Sequence, residues 1–175
     1  MSYKVLKTID MELTPQSINR AIRELKKFRE QLKATCWELV EALTMEGAEI
    51  AKMQVTSLDA VDTGELEQSI RGLFFPSERC GFVIAEAPYA IYVEYGTGPV
   101  GQDNPHPEAE GKYDYNVNQA KHIARSGKDA WIYKSDKDGK FHWSQGYVSR
   151  PFMYNTLRWL EEAAPERMSE MLEQM

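Results

Sequence analysis

The chain has 175 residues, of which 42% are hydrophobic and 27% charged, with a formal net charge of −6. That composition excludes a disordered tail, and no apolar run approaches the roughly 18 residues a membrane span needs. The length suits one domain with a core of its own, and the acidic balance argues against a dedicated nucleic-acid binder.

The charge is unevenly spread. Residues 20–33 carry six bases (Arg20, Arg23, Lys26, Lys27, Arg29, Lys33) against Glu24 and Glu30, a net of +4. Residues 38–67 carry eight acids against Lys52 alone, a net of −7. The first twenty residues include Lys4, Lys7, Asp10 and Glu12 without a continuous apolar stretch, so no signal peptide is read there. Cys36 and Cys80 stand far apart without a CxxC and read as reduced, buried thiols of a cytosolic setting.

Thr14-Pro15 is a helix start, with Thr14 as N-cap and Pro15 at the first helical position. Ile18, Ile22, Leu25, Phe28, Leu32, Cys36, Leu39 and Leu43 then recur every three or four residues, one face of an amphipathic helix. Arg20, Arg23, Lys26 and Lys27 fall opposite, as a solvated face rather than a phosphate-binding stripe. Continued through Gly47, Ile50 and Gln54, the helix would reach about 60 Å, whereas a compact chain of this length is about 40 Å across. It is therefore expected to break near Gly47 or to project and pack on another subunit.

Strands are expected over residues 69–75, 81–86 and 89–95, the last from the aromatic and β-branched run Tyr89-Ala90-Ile91-Tyr92-Val93-Glu94-Tyr95. Gly96-Thr97-Gly98-Pro99 reads as a sharp turn and residues 99–111 as loop. Trp131-Ile132-Tyr133-Lys134 and Lys140-Phe141-His142-Trp143 flank Asp136-Lys137-Asp138-Gly139, a hairpin signal over residues 130–143. After Pro151, an amphipathic helix follows with Met153, Leu157, Leu160, Ala164, Met168, Met171 and Met175 on one face, and Pro165 is expected to kink or restart it.

Two motif matches are weak in their context. Gly96-Thr97-Gly98-Pro99-Val100-Gly101 fits GxGxxG, but Gln102-Asp103-Asn104-Pro105-His106-Pro107 cannot propagate the helix that a dinucleotide site requires. Asp62-Thr63-Gly64 matches the aspartic-protease triplet, whose chemistry needs two carboxylates sharing a proton and hence a homodimer here. Glu65 follows where those enzymes carry Ala or Ser, so the structural reading is Asp62 or Thr63 capping a helical turn, with Glu65 as in a capping box. His106, His122 and His142 lie in separate segments, without zinc-ligand spacing. No cofactor or metal is expected. A protease dimer using Asp62 remains the enzyme alternative, and a DNA clamp using residues 20–33 a third class.

Three blocks, in order, resemble a known family. They are Asp62-Thr63-Gly64-Glu65-Leu66 with Ser69-Ile70; Tyr89-Ala90-Ile91-Tyr92-Val93-Glu94-Tyr95-Gly96-Thr97-Gly98; and Arg150-Pro151-Phe152-Met153. Together they are similar to the HK97-like phage neck proteins, also called tail-completion or head–tail joining proteins. The likeness covers about residues 15–98 and 148–175 and leaves residues 99–148 as an insert.

The resemblance implies an α+β fold: a small antiparallel sheet packed by a long N-terminal and a C-terminal helix, with a hairpin insert. It implies a structural virion protein without catalysis, assembled in the bacterial host as a six-fold ring between head connector and tail tube. Its partners would be copies of itself, a connector or head-completion protein and a tail terminator or tube protein, with DNA passing nearby without specific binding and no membrane contact. Asp62, Thr63, Gly64, Leu66, Ser69, Tyr89, Tyr92, Glu94, Tyr95, Gly96, Thr97, Gly98, Pro151 and Phe152 are the signature or subunit-interface candidates. Trp131, Tyr133, Phe141 and Trp143 are the candidates for contact with a partner.

Overall fold

The computed structural model describes residues 7–60, 63–115, 122–123, 129–135 and 138–174. The fold is α+β, as expected. The backbone divides into two compact units, one of residues 1–47, 72–83 and 158–175, the other of residues 48–71 and 84–157.

Helix α1 (Pro15–Ser57) is unbroken over 43 residues, a length of about 64 Å. Its start is as read: the Thr14 hydroxyl accepts the Ser17 N–H at 3.3 Å and the Thr14 carbonyl accepts that of Ile18 at 2.9 Å. The break anticipated near Gly47 does not occur. Gly47 is buried, and a Cβ there would lie 3.0 Å from Val83 Cγ2 and 3.2 Å from Leu160 Cδ1. Glycine costs a helix about 1 kcal/mol relative to alanine, and at Gly47 it admits two neighbouring side chains to the backbone.

The covered stripe of α1 also differs from the expected one. Thr35, Leu39, Thr44, Ala48, Ala51 and Val55 are buried, whereas Ile22 is 44% and Leu25 57% exposed, and Ile18 is exposed as well. An apolar period reveals that a helix is amphipathic, but another segment must supply the cover, and along the first turns little does. The same rotation of the stripe puts Thr35 rather than Cys36 inward. Cys36 and Cys80 are free and partly exposed instead of buried.

Short helix α2 (Glu65–Gln68) precedes β1 (Ile70–Phe75), which pairs with β2 (Cys80–Ala85) across a four-residue connection as a two-stranded hairpin. Residues 89–95 are not a third strand. They form helix α3 (Ala90–Tyr95), entered through a turn in which Ala90 N–H donates to the Ala87 carbonyl. A seven-residue aromatic run has strand composition, but composition yields here to the tertiary demand on Glu94 described below. The anticipated turn and loop from Gly98 onward likewise contain a helix, α4 (Gly98–Asp103), with Pro99 in its first turn; it stops before Pro105.

The second sheet is separate from the first and antiparallel, in the order β3 (His122–Ile123), β4 (Asp129–Lys134), β5 (Phe141–Ser144). The single four-part sheet expected from the sequence is thus two sheets. The hairpin itself is as read, with Ile132 opposite Trp143 and Lys134 opposite Phe141. At its tip the Lys140 N–H donates to Asp138 at 3.0 Å and His142 Nε2 lies 3.0 Å from the same carboxylate. These contacts, the backbone one foremost, hold the Asp138 carboxyl below its ordinary range. A carboxyl whose folded pKa is depressed stabilises above its unfolded pKa and ceases to as pH falls through the folded one. Exchange protection of the Ser135 amide, bonded to the Lys140 carbonyl at 2.8 Å, is therefore expected to persist at pH 6 and to drop below about pH 4.

Helix α5 (Phe152–Glu173) continues through Pro165 without the restart that was anticipated. Its buried residues are Phe152 and Thr156, so the inward face lies one position from the Met153–Leu157 line read from the sequence, and Leu157 is exposed.

Candidate functional site

The second unit holds a buried glutamate at the meeting of α3, α4 and the start of α5. Glu94 sits in the last turn of α3. The first amides of α5 have no partner within their own helix, and Glu94 supplies one to each of two: Oε2 accepts the Met153 N–H and Oε1 that of Tyr154, both at 2.9 Å. A carboxylate at this end of a helix is also favoured by the helix dipole. The backbone repeats the connection. Arg150 N–H donates to the Val93 carbonyl at 2.9 Å, and the Ser149 hydroxyl to that of Glu94 at 2.6 Å.

His106, just beyond α4, completes the group, its Nε2 being 2.9 Å from Glu94 Oε1. Its Nδ1 accepts the Glu108 N–H at 3.0 Å, which assigns the imidazole proton to Nε2 and makes the ring a donor to the carboxylate. Aromatic rings enclose the pair. Tyr95 lies on the imidazole at 4.3 Å between centroids, Tyr113 on Tyr95 at 4.6 Å, and Tyr154 meets the imidazole edge-on at 5.4 Å. The Tyr113 hydroxyl donates to the Gly96 carbonyl at 3.1 Å, and burial pushes it above its ordinary pKa, so it stays a donor. The Tyr115 oxygen accepts the His106 N–H at 2.9 Å.

The side chains of His106 and Glu94 are only 3% and 10% exposed. Three donors converge on the carboxylate, and both ring nitrogens are engaged. Such a group can fix the start of a helix, but it presents no free nitrogen lone pair to a solute. Its chemistry is architectural.

The other signature candidates fall as follows. Asp62 lies outside the described residues. Thr63 Oγ1 accepts the Glu65 N–H at 3.4 Å, while the cap position of α2 belongs to Gly64, so the hydroxyl assists the turn without being the cap. Leu66 is buried, and the Ser69 hydroxyl closes the corner on the Leu66 carbonyl at 2.7 Å. Beside this corner, Tyr89 joins Val55 and Leu66 in lining a cavity of about 280 Å³. Tyr92 points outward and is exposed, whereas Tyr95 is half-buried in the stack on His106. Thr97 pairs with Tyr147 in an isolated antiparallel bridge, and Gly96 and Gly98 are buried on either side of it. Pro151 is half-buried and Phe152 fully buried.

The four partner-contact candidates do not share one face. Phe141 is 74% and Trp143 55% exposed, on the hairpin face that also carries Ile132 and Lys134. Trp131 and Tyr133 occupy the alternate register positions, opposite Ser144 and His142.

The sequence reading passed over His106 as a lone histidine. The available signal was a single acid inside an aromatic, β-branched run and a histidine held between Pro105 and Pro107, but twelve residues separate Glu94 from His106 and no local spacing links them. Comparison with protein families, curated proteins and solved structures finds no match to this chain.

Proposed function

We propose that this chain is a structural protein of a tailed bacteriophage or prophage, a ring subunit that joins or completes the tail at the head–tail interface. The observation that carries the reading is the interlocking of the second and third blocks of the resemblance. The Tyr89 to Gly98 block delivers Glu94, and the Arg150-Pro151-Phe152-Met153 block receives it through the amides of Met153 and Tyr154 and returns Arg150 N–H to Val93. A block of sequence whose one buried acid organises the other block is what a shared architectural motif requires, and the polar atoms it spends there serve the fold. The exposed aromatic side chains Tyr92, Phe141 and Trp143 suit contact with neighbouring subunits or with a connector or tail protein.

The test is the location of the protein in particles. An antibody raised against the chain should label the head–tail junction of particles released by its host, viewed by negative-stain electron microscopy. Label at the capsid face or tail tip, or none on any particle, would overturn the reading.

A further inference from the structure

Strand β5 is an edge of the second sheet. Residue pairs of an antiparallel ladder alternate between hydrogen-bonded and non-bonded ones, and the Ser135 N–H on the Lys140 carbonyl at 2.8 Å sets that alternation for β4 and β5. His142 and Ser144 therefore turn their backbone groups to β4, while Phe141 and Trp143 turn theirs away from it. Gln145 and Tyr147 continue the outward series, and the chain itself bonds to both: the Gln145 carbonyl accepts the Val100 N–H at 3.1 Å, and Tyr147 pairs with Thr97. Half of the lane beside β5 is thus filled from within. In the other half, among the described residues, none bonds to the outward N–H and C=O of Phe141 and Trp143. Natural edge strands are commonly blunted by proline or a bulge; β5 has neither, and its register with β4 is regular throughout.

We propose that this open edge receives an extended segment of a partner protein as an added antiparallel strand, apolar where it faces Phe141 and Trp143 and acidic where it faces Lys140. In chain order the segment reads apolar, any residue, apolar, acid. Donors and acceptors two residues apart match an extended backbone, and the antiparallel sense continues that of Thr97 on Tyr147. Phe141 and Trp143 stand exposed on one face, with Ile132 across from Trp143, so the two facing side chains are apolar. Lys140 is exposed on the opposite face, and no acid of the described residues is paired with its ammonium. Asp138 is engaged by the Lys140 N–H and by His142. Charge complementarity thus selects an acid at that place. A second copy's β5, in the register that uses all four outward groups, would set Ser144 against Lys140 and leave the charge unmatched. The proposal does not depend on the neck reading.

The test is an NMR titration of the nitrogen-15-labelled full chain with the end-capped peptide Ser-Val-Thr-Val-Glu-Ser. The amide signals of Phe141 and Trp143 should shift to saturation, and their exchange with solvent should slow about tenfold at saturating peptide. The same peptide N-methylated at both valines should not bind. Lys140→Glu should weaken binding about threefold or more, and a peptide with Lys in place of Glu should recover it on that variant. Phe141→Pro removes an outward N–H and no ladder bond, so the hairpin should keep its ladder protection while binding is lost. The N-methylated peptide makes the equivalent deletion without altering the protein. No saturable shift at these two amides, equal binding of the N-methylated peptide, or no recovery on charge exchange overturns the proposal. So do shifts of the same amides that grow with protein concentration in the absence of peptide, which would make a second copy the occupant. None of these results bears on the labelling of the head–tail junction, which tests the neck reading separately.

Discussion

Phe152→Ala is expected to destabilise the protein by about 4 kcal/mol, the range for emptying a fully buried aromatic site. Phe152 has no exposed surface, and it opens α5 directly after Pro151, where the backbone is tied to α3 through Arg150 and cannot easily shift to fill the void. For a chain of this length each kcal/mol moves the midpoint of thermal unfolding by about 3 °C, so a fall of about 12 °C should be seen by circular dichroism. Leu157→Ala, an exposed change on the same helix, should stay within about 2 °C. A drop below about 3 °C for Phe152→Ala would mean that the residue does not anchor the core.

Glu94→Gln should cost about 3 kcal/mol, although it changes neither size nor shape. The carboxylate receives two donors on Oε1 and one on Oε2. A glutamine that keeps its oxygen towards Tyr154 and His106 must turn its NH₂ on the Met153 N–H, donor against donor. The opposite rotamer fails twice instead of once, and in both the charge that favours the helix terminus is gone. The midpoint should fall by about 9 °C. Nitrogen-15 chemical shifts of His106 give a readout that simple loss of stability would not move. In the native protein they should report a proton held on Nε2, and in the variant a mixture of tautomers or a changed one. Native shifts with an unchanged midpoint would remove Glu94 from the centre of the site.

What the sequence revealed and what it concealed divide along the range of the forces involved. The cap at Thr14 and the hairpin around Asp138-Gly139 are local: each depends on a side chain or turn bonding within a few residues, and each was legible. The identity of residues 89–95 was not, because Tyr, Ile and Val vote for a strand while the carboxylate of Glu94 must reach amides sixty residues away. Nor was the separation into two sheets, since strand pairing between distant segments leaves no mark on either segment alone. Gly47 shows the same limit in reverse. Inside a helix it reads as a breaker, and only Val83 and Leu160 packed against it show why the helix tolerates it. For the site, the sequence pointed to Glu94, Tyr95 and Phe152 through their blocks but missed His106, whose partner is settled by the path of the loop.

The bridge between Thr97 and Tyr147 bears on how this chain can diverge. Two backbone bonds, at 2.9 and 3.1 Å, close the fifty-residue excursion at its base. Gly146 permits the closure, because at φ +97° a side chain would be strained and its Cβ would run into the Thr97 carbonyl. Once an excursion is sealed at its root, lengthening it costs only logarithmically in chain entropy. The seal does not free all of it equally. Residues 98–115 supply His106, Tyr113 and Tyr115 to the buried pair and are bound to the framework, whereas the β4–β5 hairpin beyond them is not part of that group. Descendants of this sequence could therefore lengthen, shorten or repaint that hairpin to follow a changing partner, while the clamp beneath it and the helix it helps to start are inherited intact.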